Sequence, residues 1–180
     1  MPISSSDILV KLSVTTGSAG NTTAQGNVNN SLGKYISTTQ VTDNTLNNLF
    51  DDISGAENAA STVDYRCIFI HNSHATLTMQ NTVVWLQSEV AGGASIQIGL
   101  DTNGSVPVGQ SSAQAVTIAN ETTAPAGISF SAPTTSGTGL SMGNIVAGNC
   151  YALWIKRTAA NTSPVNNDGV TLGLQCDTLA

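Results

Sequence analysis

VDYRCIFIHN, residues 63–72, is the stretch that predicts most about the fold of this sequence. In an extended chain, successive side chains point to opposite faces. One face would carry Val63, Tyr65, Cys67, Phe69 and His71, and the other Arg66, Ile68 and Ile70. Both faces are largely apolar, which is typical of a strand that is buried on both sides. We therefore predict a central strand at Val63–Asn72.

Further short apolar runs, separated by Gly, Pro, Asn and Ser, predict eight or nine strands in total. These runs are Ile8–Val14, Tyr35–Val41, Thr76–Gln80, Thr82–Val90, Ala94–Asp101, Gln114–Ala119, Asn149–Arg157 and Gly169–Cys176. Strands do not alternate with long helical patterns, so the sequence does not favour a parallel α/β sheet. We predict an all-β fold, an antiparallel β-sandwich that is jelly-roll-like.

One segment has helical spacing. Leu46, Leu49, Phe50 and Ile53 follow each other at intervals that place them on one helical face. The Asn and Asp residues between them are poor helix formers. The sequence therefore predicts at most one short helix near residues 44–53, or an irregular turn with the same packing. Residues 54–62 and 120–143 are predicted to be loops.

The length of 180 residues fits one globular domain. Thr15–Gly33 is polar, contains glycines and lacks periodicity, and it is long for a loop inside a compact domain. We therefore interpret residues 1–34 as an N-terminal strand followed by a flexible arm-like segment, and residues 35–180 as the β-sandwich domain.

Charge is scarce in this chain. Charged residues make up 9%, whereas an average soluble domain carries about 25%. Two interpretations stay open: a neutral, Thr-rich β surface, or a chain that is packed against other subunits. The net charge is −6 and only five residues are Lys or Arg, so we expect no nucleic-acid partner and no anionic membrane partner.

Targeting signals are also not evident. No apolar run approaches the ~18 residues of a membrane span. The first twelve residues do not combine a basic region with an apolar run, so we expect no signal peptide and synthesis in a cytoplasm.

Residues that could carry chemistry do not converge in the sequence. His71 and His74 form an H-x-x-H pair, and Cys67, Asp64 and Glu57 are the nearest further donors. Metal sites need three or four convergent ligands, so we interpret the histidines as an exposed pair at a strand end. We predict no enzyme activity, no catalytic, cofactor-binding or metal site, and no cofactor.

Scattered carboxylates leave one enzymatic alternative. Asp64, Glu89, Asp101 and Glu121 lie in separate segments. A glycan-acting enzyme would need two of them about 5–10 Å apart in a cleft.

The cysteines and arginines are predicted to belong to the interior. Cys67, Cys150 and Cys176 lie in apolar runs and are interpreted as reduced core residues. Arg66 and Arg157 lie within apolar strands, where a buried guanidinium needs a carboxylate or carbonyl partner. We expect that partner inside the domain or across a subunit contact.

The two tryptophans, Trp85 and Trp154, are flanked by aliphatic residues in the middle of strands. Tryptophan in such a position is typical of a core. An exposed tryptophan beside polar side chains would instead be able to stack on a sugar.

Two segments resemble virion structural proteins of tailed bacteriophages. They are DDISGAENAASTVDYRCIFIHNSHATLTMQNTVVWL at residues 51–86 and YALWIKRTAANTSP at residues 151–164. In the first, an acidic turn with Gly55 and Glu57 leads into YRCIFIHN, a Thr-rich strand and VVWL. Within that group the chain looks most like a capsid decoration (cement) protein, although its N-terminal region has no counterpart there.

The resemblance implies a non-enzymatic β-sandwich subunit in the virion. Such a subunit binds the outside of the capsid, with the major capsid protein as its partner, and reinforces subunit junctions as a homo-oligomer, typically a homotrimer. The alternative within the same group is a tail or baseplate protein, including a carbohydrate-binding module that recognises a receptor.

Overall fold

The computed structural model describes residues 2–162 and 165–178. In that part of the chain, eight strands pair into two antiparallel sheets, which confirms the predicted all-β sandwich. The strands are β1 (Ile8–Val14), β2 (Tyr35–Gln40), β3 (Val63–Asn72), β4 (Met79–Glu89), β5 (Ser95–Pro107), β6 (Leu140–Ile145), β7 (Asn149–Thr158) and β8 (Val170–Asp177). One short α-helix, α1 (Gly55–Ala60), and two 3₁₀ turns at Ser5–Asp7 and Val28–Asn30 complete the elements.

The two sheets differ in size. The large sheet has the order β2-β1-β3-β7-β5, and the small sheet has the order β6-β4-β8. The division into five and three strands departs from the two four-stranded sheets of a regular jelly roll.

The central strand β3 is buried on both faces, as its sequence predicts. It pairs with β1 on one side and with β7 on the other, and its register with β7 runs unbroken from Val63–Thr158 to His71–Cys150. Ile68 and Ile70 pack between the sheets, while Cys67 and Phe69 pack on the opposite face of the large sheet.

The inner layer of the core lies between the two sheets. Its fully buried members are Leu12, Ile68, Ile70, Ile96, Ile98, Leu153 and Ile155 from the large sheet, and Met79, Val84, Leu86, Met142 and Ile145 from the small sheet. This interdigitation of two apolar sheet faces is what holds a sandwich together.

The outer layer covers the other face of the large sheet, and loops rather than strands form its cover. The loop residues at this layer include Leu32, Val108, Ala115, Val116, Ile118, Ile128 and Phe130. They pack against a sheet surface that includes Trp154 and Phe69, both 0% exposed. The long polar segments of the sequence therefore cover a second apolar layer, on the outer face of the large sheet.

The predicted helix is displaced in the structure. Residues 44–53 form irregular turns, because Asn44 and Asn47 adopt left-handed backbone angles, φ 53° and 56°, that interrupt a helix. The α-helix starts after this segment, at Gly55. Ser54 caps it: the Ser54 side chain accepts from the Glu57 N–H at 3.2 Å, and Glu57 Oε2 accepts from the Ser54 N–H at 2.7 Å.

Three strand predictions need correction. Thr76–Gln80 and Thr82–Val90 contribute to one strand, β4. Gln114–Ala119 is not a strand but a loop with a single bridge between Gly33 and Thr117. Conversely, β6 lies partly inside residues 120–143, which were predicted to be a loop.

The segment between β1 and β2 is packed on the sheet. Ser31 Oγ accepts from the Ser13 N–H at 2.9 Å and donates to the Cys67 carbonyl at 2.7 Å. The Gln25 amide donates to the Ser13 carbonyl at 3.0 Å. The interpretation of this segment as a flexible arm stays a prediction. Deletion of residues 1–34 cannot test it, because β1 lies between β2 and β3 and its loss would open the sheet.

We predict that buried side chains of both the inner and the outer layer contribute strongly to the stability of the fold. Ile68→Ala should lower the free energy of unfolding by about 2–5 kcal/mol, and Phe69→Ala by about 3–5 kcal/mol, because each leaves a cavity among buried side chains. Urea unfolding of both variants measures this, with the exposed Gln87→Ala as control. A Phe69→Ala variant as stable as the control would show that the loops do not form a packed layer.

Candidate functional site

Two buried arginines meet at one end of the sandwich. Arg66 is 0% exposed and Arg157 is 5% exposed. Their guanidinium carbons lie 5.2 and 4.7 Å from the centre of the Phe50 ring. Both face the inner layer, because they alternate along β3 and β7 with the residues of the outer layer. Both guanidinium groups therefore lie over the Phe50 ring, whose π face attracts cations.

Carboxylates of the same domain neutralise this arginine pair. Arg157 Nη2 lies 2.8 Å from Asp64 Oδ2 and 3.2 Å from Asp51 Oδ1. Arg66 pairs with the Glu121 carboxylate and donates to Asn29 Oδ1 at 2.9 Å. The prediction that both arginines find partners is confirmed, and all these partners belong to the chain itself.

A buried carboxylate ties the outer layer to the sheet. Asp101 is 2% exposed, and its Oδ2 accepts from Trp154 Nε1 and from the Val116 N–H, each at 2.9 Å. The loop backbone at Val116 also lies close to Gly33. A Cβ on Gly33, where φ is +91°, would lie 1.9 Å from the Val116 carbonyl oxygen. Asp101 is thus a structural acceptor.

Gln114 acts in the same way beside it. The side chain is 0% exposed, accepts from the Ile36 N–H at 2.8 Å, and donates to the carbonyls of Pro107 and Val108 at 2.7 and 2.8 Å. These bonds fix the loop that contains Gln114 to β2 and to the end of β5. Sequence reasoning missed this residue because glutamine is common at surfaces.

The two histidines do not form a shared site. His74 Nδ1 accepts from the backbone N–H groups of Thr76 and Leu77 at 3.1 and 2.9 Å, which shapes the turn before β4. His71 is only 9% exposed and lies on the outer face of β3 near Lys11. Burial, followed by the positive charge of Lys11, lowers the pKa of His71. Within the described residues, no group of three or more His, Cys, Asp or Glu side chains could hold a metal ion.

The cysteines are interior side chains. Cys67 and Cys150 are 0% exposed, and Cys176 is half-buried beside the inner layer. Burial raises the pKa of the Cys67 thiol and raises that of Cys150 to about 12, so both are protonated at neutral pH. A thiol needs the opposite shift to become a nucleophile.

The exposed charges in the described part of the chain are all negative. Lys11, Arg66 and Arg157 are buried, and Lys34 and Lys156 are partly buried. The exposed charged residues are Asp43, Asp52, Glu89, Asp168 and Asp177. Ser, Thr, Asn and Gln make up most of the remaining polar surface, so a partner would meet neutral hydrogen-bonding groups.

The two tryptophans differ in environment. Trp154 is a core residue, as predicted. Trp85 is only partly buried and lies on the outer face of the small sheet, across from Gly173 of β8. A Cβ on Gly173 would lie 2.2–2.6 Å from indole atoms Cε2, Cζ2 and Nε1, so the ring lies directly over the glycine.

Comparison of the chain with models of protein families, with curated proteins and with solved structures gave no match. In the described residues, no helix has the length and apolar character needed to cross a membrane.

We predict that the Asp64–Arg157 pair is essential for stability. Asp64→Asn removes the buried counter-charge, so it should lower the free energy of unfolding by about 3 kcal/mol, because an arginine is left under-compensated in the interior. Asp52→Asn, an exposed carboxylate nearby, should change it by less than about 0.5 kcal/mol. Urea unfolding compares the two. Equal losses would contradict the role of the pair, and the double variant Asp64→Leu/Arg157→Met should recover part of the loss.

We also predict a pH dependence from His71. Because its pKa is lower in the folded chain than the ordinary 6.5, the unfolded chain binds the proton more tightly. Stability should therefore be complete above pH 6.5 and fall as the pH decreases below it. Denaturant unfolding across this range should give a flatter pH profile for His71→Gln than for the native chain or for His74→Gln. An unchanged profile in His71→Gln would contradict this assignment.

Proposed function

We propose that this chain is a non-enzymatic structural subunit of a tailed-bacteriophage particle. It would bind the outside of the capsid, with the major capsid protein as its partner, and reinforce subunit junctions as a homo-oligomer, with a trimer favoured. The resemblance of residues 51–86 and 151–164 supports this family. The observation that carries the proposal is a sandwich in which three of the five cations are buried, the other two are partly buried, and every exposed charge among the described residues is acidic.

The fate of the charged and polar side chains supports association rather than chemistry. Asp64 and Glu121 pair with the buried arginines, and Asp101 accepts from Trp154. These groups stabilise the fold, and the surface is left with short neutral side chains. Such a surface loses little hydration energy when another protein covers it, because buried charges cost much more than buried hydroxyls or amides.

An open strand edge offers a further contact. The strand β8 ends the small sheet, and no other described segment pairs with its free edge. Its sequence, VTLGLQCD, contains neither Lys nor Pro, the residues that commonly block unwanted edge pairing. An edge of this kind supports strand addition from a neighbouring subunit. Three linked copies would bind far more tightly than one.

The second candidate is a tail or baseplate protein that recognises a carbohydrate receptor. The partly exposed Trp85, among neutral polar side chains, favours it. This candidate predicts a chain that binds glycans and ignores capsids.

We expect the purified chain to form a trimer by native mass spectrometry and to cosediment saturably with capsids of its phage assembled without it. Excess unlabelled chain should displace the labelled chain, and capsids that already carry the protein should bind none. Because few charges are exposed, binding should change less than about threefold between about 0.05 and 0.5 M NaCl. A stable monomer that ignores the capsids would refute the decoration role and favour the tail candidate.

A further inference from the structure

The outer face of the small sheet carries one partly exposed aromatic ring, that of Trp85. Trp85 points outward from β4, since its neighbours Val84 and Leu86 point into the inner layer. Its ring lies over Gly173, where any larger residue would collide with it at 2.2 Å. One face of the indole therefore rests on the β8 backbone, and the ring is only partly buried.

Trp85 lacks the partner that fixes the other tryptophan. The Trp154 indole donates to Asp101 at 2.9 Å and is 0% exposed. For Trp85 Nε1, no acceptor is found in the described residues, and the atom is not buried. A core tryptophan usually satisfies its N–H, so the placement of Trp85 suits a group that is offered to a ligand.

The side chains around this ring are neutral and form hydrogen bonds. Thr171 and Gln175 lie two residues before and after Gly173 on the same face of β8. Cross-strand register places Ser141 of β6 beside Val83 of β4. All three polar residues are exposed. Hydroxyl and amide groups both donate and accept, which matches the hydroxyls of a sugar.

Charged groups lie at the ends of this face or turn away from it. Glu89 Oε1 accepts from the Ile96 N–H at 2.9 Å, on the side of the large sheet. Asp177, at the end of β8, accepts from Asn81 Nδ2 at 3.0 Å. No Lys or Arg lies on the three strands of the small sheet. A phosphate or nucleic acid would find no counter-charge here, whereas a neutral ligand needs none.

We propose that Trp85 is the base of a carbohydrate-binding site for a neutral sugar. The C–H-rich face of a pyranose ring would stack on the exposed side of the indole. Thr171, Gln175 and Ser141 would bind its hydroxyls, and the Trp85 N–H would donate to one of them. The site is a property of the isolated chain and does not depend on where the chain sits on a particle.

The test is an oligosaccharide array with the full chain. It carries neutral glucose-, galactose-, mannose- and N-acetylglucosamine-containing oligosaccharides beside their sialylated and sulfated counterparts. We expect saturable binding to at least one neutral oligosaccharide, and about tenfold or more weaker binding by Trp85→Ala, because stacking is lost. The bound sugar should also protect the fluorescence of Trp85 from acrylamide, while Trp154 is shielded throughout.

Two variants separate stacking from folding. Trp85→Phe keeps a smaller aromatic ring and should retain part of the binding. Gly173→Ala displaces the indole and should weaken binding without removing the ring. Urea unfolding must show that each variant is folded.

Three binding results would overturn the proposal: no binding to any neutral oligosaccharide, binding that Trp85→Ala leaves unchanged, or binding confined to the acidic oligosaccharides. A Trp85→Ala variant that loses the oligomeric state of the native chain would also overturn it, because the face would then be a subunit contact. Capsid cosedimentation is measured separately, so failure of the sugar site and failure of the decoration role are distinguishable.

Discussion

The structure depends on one constraint, which is that the large sheet is apolar on both faces. Along β3, Ile68 and Ile70 need a cover on one side, and Cys67 and Phe69 need one on the other. A three-stranded sheet covers the first side. On the second side the chain uses loops, which must bury apolar side chains while satisfying their own backbone N–H and C=O groups.

That second cover accounts for much of the polar composition. Gln114, Asp101 and Ser31 lie inside, where they bind the backbone of loops that form no ladder with the sheet. The arginines and their carboxylates are also used internally. The low surface charge therefore follows in part from the fold: the few charged residues hold the sandwich together, and the surface is left to neutral side chains.

The same constraint explains what the sequence could predict. The bounds of β1 and β3 were predicted correctly, because each is a largely apolar run flanked by polar loop residues and is buried almost continuously over its second half. Gln114–Ala119 is also partly apolar, but there Ala115 and Ile118 pack on the sheet as parts of a loop. The strand β6 was missed because only Met142 and Ile145 are fully buried in a run broken by Gly143.

The sequence could predict only part of the arginine cluster. That Arg66 and Arg157 each need a carboxylate or carbonyl partner followed from their positions within apolar runs. The capping signal of Ser54 and Glu57 could have placed α1. That both arginines lie over the Phe50 ring needed the tertiary structure.

The unequal sheets also decide which surface is available for binding. Loops cover the outer face of the large sheet, while exposed Ser141, Thr171 and Gln175 show that the outer face of the small sheet is open. A residue on the outer face of the small sheet is not buried by loops as Trp154 is. Its identity is therefore set by solubility or by a binding partner. Solubility disfavours a tryptophan there, and a glycine opposite costs strand stability. The Trp85 ring lies over Gly173 and recovers part of that cost, because a cross-strand aromatic ring shields a strand glycine. A sugar that stacks on the outer side of the same ring would give it a second role.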